Sequence, residues 1–141
     1  MPRQRVTLIT LGVADLDRAR QFYADWGWTP HPSTAEGIHF YQMHGAALAL
    51  FPRDELAADQ GRPDADLGTG AMTLAQNCAD RAETDAVFDA ALAAGATCLK
   101  RPQPVFWGGY SGYVADPDGH VWEIAHNPFW PLSDDGSLTL P

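Results

Sequence analysis

The chain is short of cations, nearly free of cysteine and without a long apolar run, and each shortage removes a class of function. Lys and Arg number 9 against 18 Asp and Glu, a formal net charge of −9 at pH 7. Phosphate binding needs clustered cations, so this balance argues against nucleic-acid partners and against anionic membrane surfaces. It keeps a protein soluble and is mildly compatible with a cationic ligand. The two cysteines, Cys78 and Cys98, lie in unlike contexts, and no C-x-x-C or other zinc spacing occurs. There is no run of about 18 apolar residues and no apolar h-region near the start, so neither membrane insertion nor export is expected. A cytoplasmic protein with reduced cysteines is the expectation. No glycine-rich phosphate loop, G-x-S-x-G elbow or Ser/His/Asp order appears.

What is present is a repeat. The 141 residues, 45% hydrophobic, suffice for one domain with a core. Residues 6–28, VTLITLGVADLDRARQFYADWGW, read as strand, capping Asp15, helix and Gly27. Leu16, Ala19 and Phe22–Tyr23 fall at helical spacing, and Asp and Gly are the residues that open and close helices. Residues 71–97 repeat this order: a strand from Met72 to Cys78, Asp80, a helix carrying Val87–Phe88, and Gly95. Strand-like runs follow both helices, at Gly37–His44 and Ala46–Phe51, then at Ala96–Lys100, Tyr110–Ala115 and His120–His126. The pattern predicts an α+β domain of tandem βαβββ modules, at about 5–52 and 71–128, with a polar linker at about 53–70 and a tail at 129–141. The proline-rich tail, NPFWPLSDDGSLTLP, is expected to wrap the surface.

The most informative stretch is ADPDGHVWEIAHNP, Ala115 to Pro128. Pro117 presets the first turn position, Asp118 suits the second and Gly119 the left-handed third, so D-P-D-G closes a hairpin. Asp116 then faces His120, and the pairing runs Ala115–Val121, Val114–Trp122, Tyr113–Glu123 and Gly112–Ile124. Strand parity puts Glu123 on the opposite face from His120 and His126, so the three cannot ligate one metal. Trp122, Ile124 and Val114 form an apolar face for helices. Glu123 points the other way with Tyr113, and an enclosed carboxylate needs a donor, a cation or a raised pKa. Tyr113 is the cross-strand donor.

Phe106–Trp107–Gly108–Gly109–Tyr110 is a glycine-hinged aromatic loop suited to clamping a flat ligand, with Trp107 and Tyr110 as its binding residues. Packing of Trp107 at a module seam or dimer interface is the alternative. Asn77 either bonds a neighbouring backbone or lines the ligand space. His39 and His44 fall on opposite strand faces, His31 in a loop, and His126 either caps its strand or turns toward a rim site.

The run G-V-A-D-L-D-R-A-R-Q-F-Y and the hairpin Y-V-A-D-P-D-G-H-V-W-E resemble the vicinal oxygen chelate superfamily, over residues 5 to about 128. That group holds glyoxalases, extradiol dioxygenases and the bleomycin and fosfomycin resistance proteins; the hairpin looks like a glyoxalase-like branch of unassigned function. The resemblance implies a cup-shaped mixed sheet with helices outside, a ligand inside, and pairing into a homodimer. It also implies a divalent metal acting as a Lewis acid in many members. Of the ligand positions it implies, Glu123 matches, whereas Leu8, Met72 or Thr73, and the run Leu48–Phe51 do not ligate. About three protein ligands are required, so no complete metal site is expected. The readings are a binder of a small organic molecule, without nucleic-acid or membrane partners, or a lyase, isomerase or dioxygenase-like enzyme. The second uses Glu123 as general base, oriented by Tyr113, or in a nonstandard divalent-metal site. A third leaves Glu123 merely securing the hairpin.

Overall fold

A computed structural model describes residues 2–141, which divide into two compact units, one ending at Gly68 and one running Thr69–Pro141. The first contains β1 (Leu8–Val13), α1 (Leu16–Asp25), β2 (His39–Gln42), β3 (Ala47–Pro52) and α2 (Arg53–Asp59). The second contains β4 (Thr73–Asn77), α3 (Arg81–Ala94), β5 (Thr97–Pro104), β6 (Tyr110–Ala115) and β7 (Val121–His126). Each unit holds one mixed sheet, ordered β1-β3-β2 and β4-β7-β6-β5. In both, the opening strand lies parallel to the last, and the other neighbours are antiparallel. The fold is α+β with the strand–helix–strand order repeated, as the sequence implies.

Helices α1 and α3 start where the aspartates place them. The side chain of Asp15 accepts from the Arg18 amide, and that of Asp80 from the Glu83 amide at 2.7 Å. Glu83 reaches back to accept from the Ala79 amide at 2.7 Å, so two otherwise orphaned donors are satisfied together. Gly95 ends α3 in the left-handed region, with φ of 113°.

Two details refine this pattern. The first unit has two strands after its helix, β2 and β3, matching the two strand-like runs at Gly37–His44 and Ala46–Phe51. Residues 29–37 carry Pro30 and Pro32, which lack the amide donors a ladder needs, and form only an isolated bridge, Ala35 to Ile38. The linker also contains a helix, α2. Pro52 opens it, where a missing amide costs nothing, and it packs on β1, with Leu56 and Arg53 against Gly12.

In the first unit α1 covers one sheet face through Phe22 and Tyr23, beside Trp26, Trp28 and Tyr41. Tyr41 is buried, yet its hydroxyl has no hydrogen-bond partner among the described residues, and burial pushes its pKa up. An unpaired buried hydroxyl carries its full desolvation cost. Tyr41→Phe is therefore expected to leave stability unchanged or raise it by about 1 kcal/mol. A thermal melt showing a loss of that size would mean that the hydroxyl is paired.

In the second unit α3 covers the face of β6 and β7 that carries Val114, Trp122 and Ile124, all buried. Phe88 and Ala91, fully buried, are the helix's contribution to this core. The opposite face of this sheet is left to line a cavity.

Candidate functional site

The site is built on the D-P-D-G turn. One oxygen of the buried Asp116 carboxylate accepts from the amides of Asp118 and His120, at 2.9 Å each. The Gly119 amide donates to the Asp116 carbonyl at 3.0 Å, and Gly119 itself has φ of 89°. The turn sets the register predicted from sequence: Ala115 opposite Val121, Val114 opposite Trp122, Tyr113 opposite Glu123 and Gly112 opposite Ile124.

This register decides which side chains share a face. Ala75, Glu123, Tyr113 and Lys100 stand abreast across the four strands, and Asn77, Ala125, Ser111 and Gln103 form the next row. Alanines beside Glu123 leave room above the sheet. Burial, then the charge of Glu123 and a hydrogen bond to its side chain, push the Tyr113 phenol pKa up. The phenol thus stays a protonated donor to the carboxylate it faces.

A cavity of about 460 Å³ opens on this face, lined by Asn77, Trp107, Glu123, Ala125, Asn127, Phe129 and Trp130. Asn77, Trp107 and Glu123, singled out from sequence on three separate segments, thus meet in one place. Trp107 and Phe129 are held by a pair of glycines. The Trp107 ring lies over Gly109, where a Cβ would fall inside it, and a Cβ on Gly108 would come within 3.0 Å of Phe129 Cε2. Both rings rest on bare backbone.

Sequence reasoning missed Phe129 and Trp130. Asn127 turns the chain, its side-chain oxygen accepting from the Phe129 amide at 2.9 Å and its carbonyl from the Trp130 amide at 3.1 Å. The start of the tail is therefore cavity wall. The available signal was the Asn two residues before Phe129, a residue that bonds its own chain in this manner.

Other candidates lie elsewhere. Tyr110, expected to bind ligand, shares the face of Gly112 and Val114; its hydroxyl donates to Asp85 on α3 at 2.7 Å, and Arg81 stands 5.0 Å from its ring centre. It does not line the cavity. His126 places Nδ1 3.2 Å from the Cys78 carbonyl, which secures the end of its strand. His31 bonds within its own loop, to Ser33. Cys78 is buried, and its thiol pKa is pushed up to about 11, chiefly by that burial. It is a packing residue without thiolate character at neutral pH.

The ligand positions implied for a divalent ion were tested against the register. Thr73, not Met72, lies on the face of Glu123, and Ala75 is the direct neighbour of that carboxylate on β4. In the first unit, taken by itself, Leu8 shares a face with Thr10 on β1 and with Ala49 and Phe51 on β3, and of these Leu8, Ala49 and Phe51 carry no donor side chain. Within the second unit, one carboxylate and one hydroxyl, Glu123 and Thr73, do not fit an ion that requires about three protein ligands. Among the described residues, no three His, Cys, Asp or Glu side chains are grouped to hold a metal. Nor, among them, is any helix long and apolar enough to cross a membrane.

A glyoxalase-related enzyme from Fulvimarina pelagi is 40% identical, with 98% of this chain and 99% of that chain covered and a TM-score of 0.89. A lactoylglutathione lyase from Agrobacterium tumefaciens is 25% identical, over 90% of this chain and 96% of that chain, at a TM-score of 0.68. A glyoxalase/bleomycin resistance protein/dioxygenase family enzyme from Burkholderia phytofirmans PsJN shares the fold at 18% identity and a TM-score of 0.74, over 85% of this chain and 96% of that chain. No curated protein matches the sequence. The model of the Glyoxalase/Bleomycin resistance protein/Dioxygenase superfamily matches residues 5–124, and the chain belongs to that superfamily.

Proposed function

We propose that this protein binds a small organic ligand in the cavity of its second unit, without the divalent ion used by many members of its superfamily. The observation that carries this reading is the lining itself: Trp107, Phe129 and Trp130 around Glu123, Asn77 and Asn127. Ligand sites of about 300–1,000 Å³ combine mostly apolar walls with a few placed polar groups, and the cavity has that size and make-up. A mismatched donor set supports the metal-free part of the reading. The thiols are free, and the cytosol is the compartment that suits them.

A second reading draws on the facing pair Tyr113 and Glu123. A carboxylate oriented by a phenol is suited to abstracting a proton beside a carbonyl group. In that case the ligand is a substrate, and Glu123 takes the proton.

One set of variants separates these readings. In a thermal-shift screen of small aromatic compounds, a compound that stabilises the wild type is expected to lose at least tenfold in affinity with Trp107→Ala. Gly109→Ala, which displaces the Trp107 ring without removing it, is expected to lose a similar amount while melting near the wild type. Retained affinity in both would remove the cavity from the binding reading. Conversion of the bound compound, lost in Glu123→Gln while binding persists, would establish the second reading. A stoichiometric metal found by elemental analysis and lost in Glu123→Gln would overturn the metal-free part.

A further inference from the structure

Resting on the binding role just proposed, we infer that the ligand is an organic cation: an amine or quaternary ammonium carried on a flat apolar body. Charge supports this first. Glu123 is the only charged side chain among the seven residues lining the cavity, and no Lys, Arg or His lines it. The nearest cation in its row is Lys100, which lies beyond Tyr113. That is two strand spacings from Glu123, roughly 10 Å. Asn77 and Asn127 are neutral.

The rings point the same way. An aromatic face is the negative pole of its quadrupole, and Trp holds a cation best. Two tryptophans and a phenylalanine share the cavity with the carboxylate. Trp107 is 37% exposed, Trp130 38% and Phe129 64%, so their surfaces are open to a ligand and not spent in the core.

Alternatives fare worse on the same lining. An anion would meet Glu123 with no compensating cation. A neutral apolar molecule would strip water from the carboxylate and leave Tyr113 as its sole evident partner. A cation receives both the counter-charge and the ring faces. The net charge of −9 adds a long-range attraction that speeds encounter at low salt.

The wall that completes this chemistry belongs to the tail. Phe129 and Trp130 fall after residue 124, where the superfamily match ends. Two of the three rings therefore come from a segment that the shared superfamily region does not include, whereas Glu123 and Trp107 lie within it.

The test uses three probes of one shape: 3-hydroxyphenyltrimethylammonium, its neutral isostere 3-tert-butylphenol, and the anion 3-hydroxybenzenesulfonate. Affinities are measured on the full chain by calorimetry, and the Trp107 indole N–H is followed by NMR. The cation is expected to bind at least tenfold more tightly than the neutral isostere, with no measurable binding of the anion. Glu123→Gln is expected to bring cation and isostere to within twofold of each other. Phe106→Ala, at a fully exposed loop tip outside the cavity, is expected to change neither. Equal binding of cation and isostere by the wild type, with both lost in Trp107→Ala, would overturn the charge preference and keep the binding role. Preference for the anion, or a cation preference that survives Glu123→Gln, would also overturn it. Failure of all three probes at millimolar concentration would overturn the binding role and this inference together.

Discussion

Gly112→Ala is expected to cost about 3 kcal/mol of folding stability, the upper part of the range for overpacking a filled site. Gly112 lies in β6, opposite the point where β5 shifts register between Lys100 and Gln103. A Cβ there would come within 2.7 Å of the Pro102 nitrogen, 2.8 Å of the Lys100 carbonyl oxygen and 2.9 Å of Pro102 Cδ. The first two are backbone atoms and the third belongs to a ring, so no rotamer change relieves the contact. The demand is for space and not for an unusual φ, because Gly112 is not among the positive-φ glycines. In a chain of this size the melting point should fall on the order of 10 °C. Gly109→Ala is the matched control: there the obstacle is a side chain that can move, and ligand affinity falls in place of stability. A Gly112→Ala protein melting within 2 °C of the wild type would show that the β5 bulge yields.

Asp116→Ala comes next, with an expected loss of about 2–3 kcal/mol, the range for hydrogen bonds to a charged group. Its carboxylate accepts from two turn amides, and its own side chain is buried. Alanine removes the acceptor and leaves both donors in a tight turn without it. Asp116→Asn keeps a side-chain oxygen in place and is expected to stay within about 1 kcal/mol. Urea unfolding, with an unchanged denaturant slope, measures both. An alanine variant within about 0.5 kcal/mol of the wild type would show that Pro117 and Gly119 set the turn unaided. Because the turn sets the strand register, Asp116 also acts at a distance on the facing of Tyr113 and Glu123.

What was legible in the sequence follows from how local each signal is. The hairpin register could be read residue by residue, since D-P-D-G chemistry and a period of two are contained in about a dozen residues. The helix starts were legible for the same reason, through Asp15 and Asp80. Asn77, Trp107 and Glu123 were each visible, but their meeting depends on parallel pairing of β4 with β7, which no local pattern encodes. Tyr110 was grouped with Trp107 by adjacency along the chain, whereas strand alternation places it with Gly112 and Val114, beneath α3. Phe129 and Trp130 are hidden by composition: flanking prolines suggest a passive tail, and the Asn127 turn that aims both rings belongs to no helix or strand pattern. Helix α2 was obscured in the same way, its polar residues and neighbouring Pro52 and Gly61 reading as linker.

The shape of β5 has a bearing on how this protein behaves when crowded. It forms one border of the second sheet, an eight-residue strand exposed along almost its whole length. A border of that kind invites another chain to add a strand. Pro102 and Pro104 remove two of its amides, the shifts around Lys100 break its straight line, and Lys100 and Arg101 place charge along it. The bulge that Gly112 leaves room for thus also acts as a gatekeeper. It keeps this border from templating sheet growth and fibril-like aggregation.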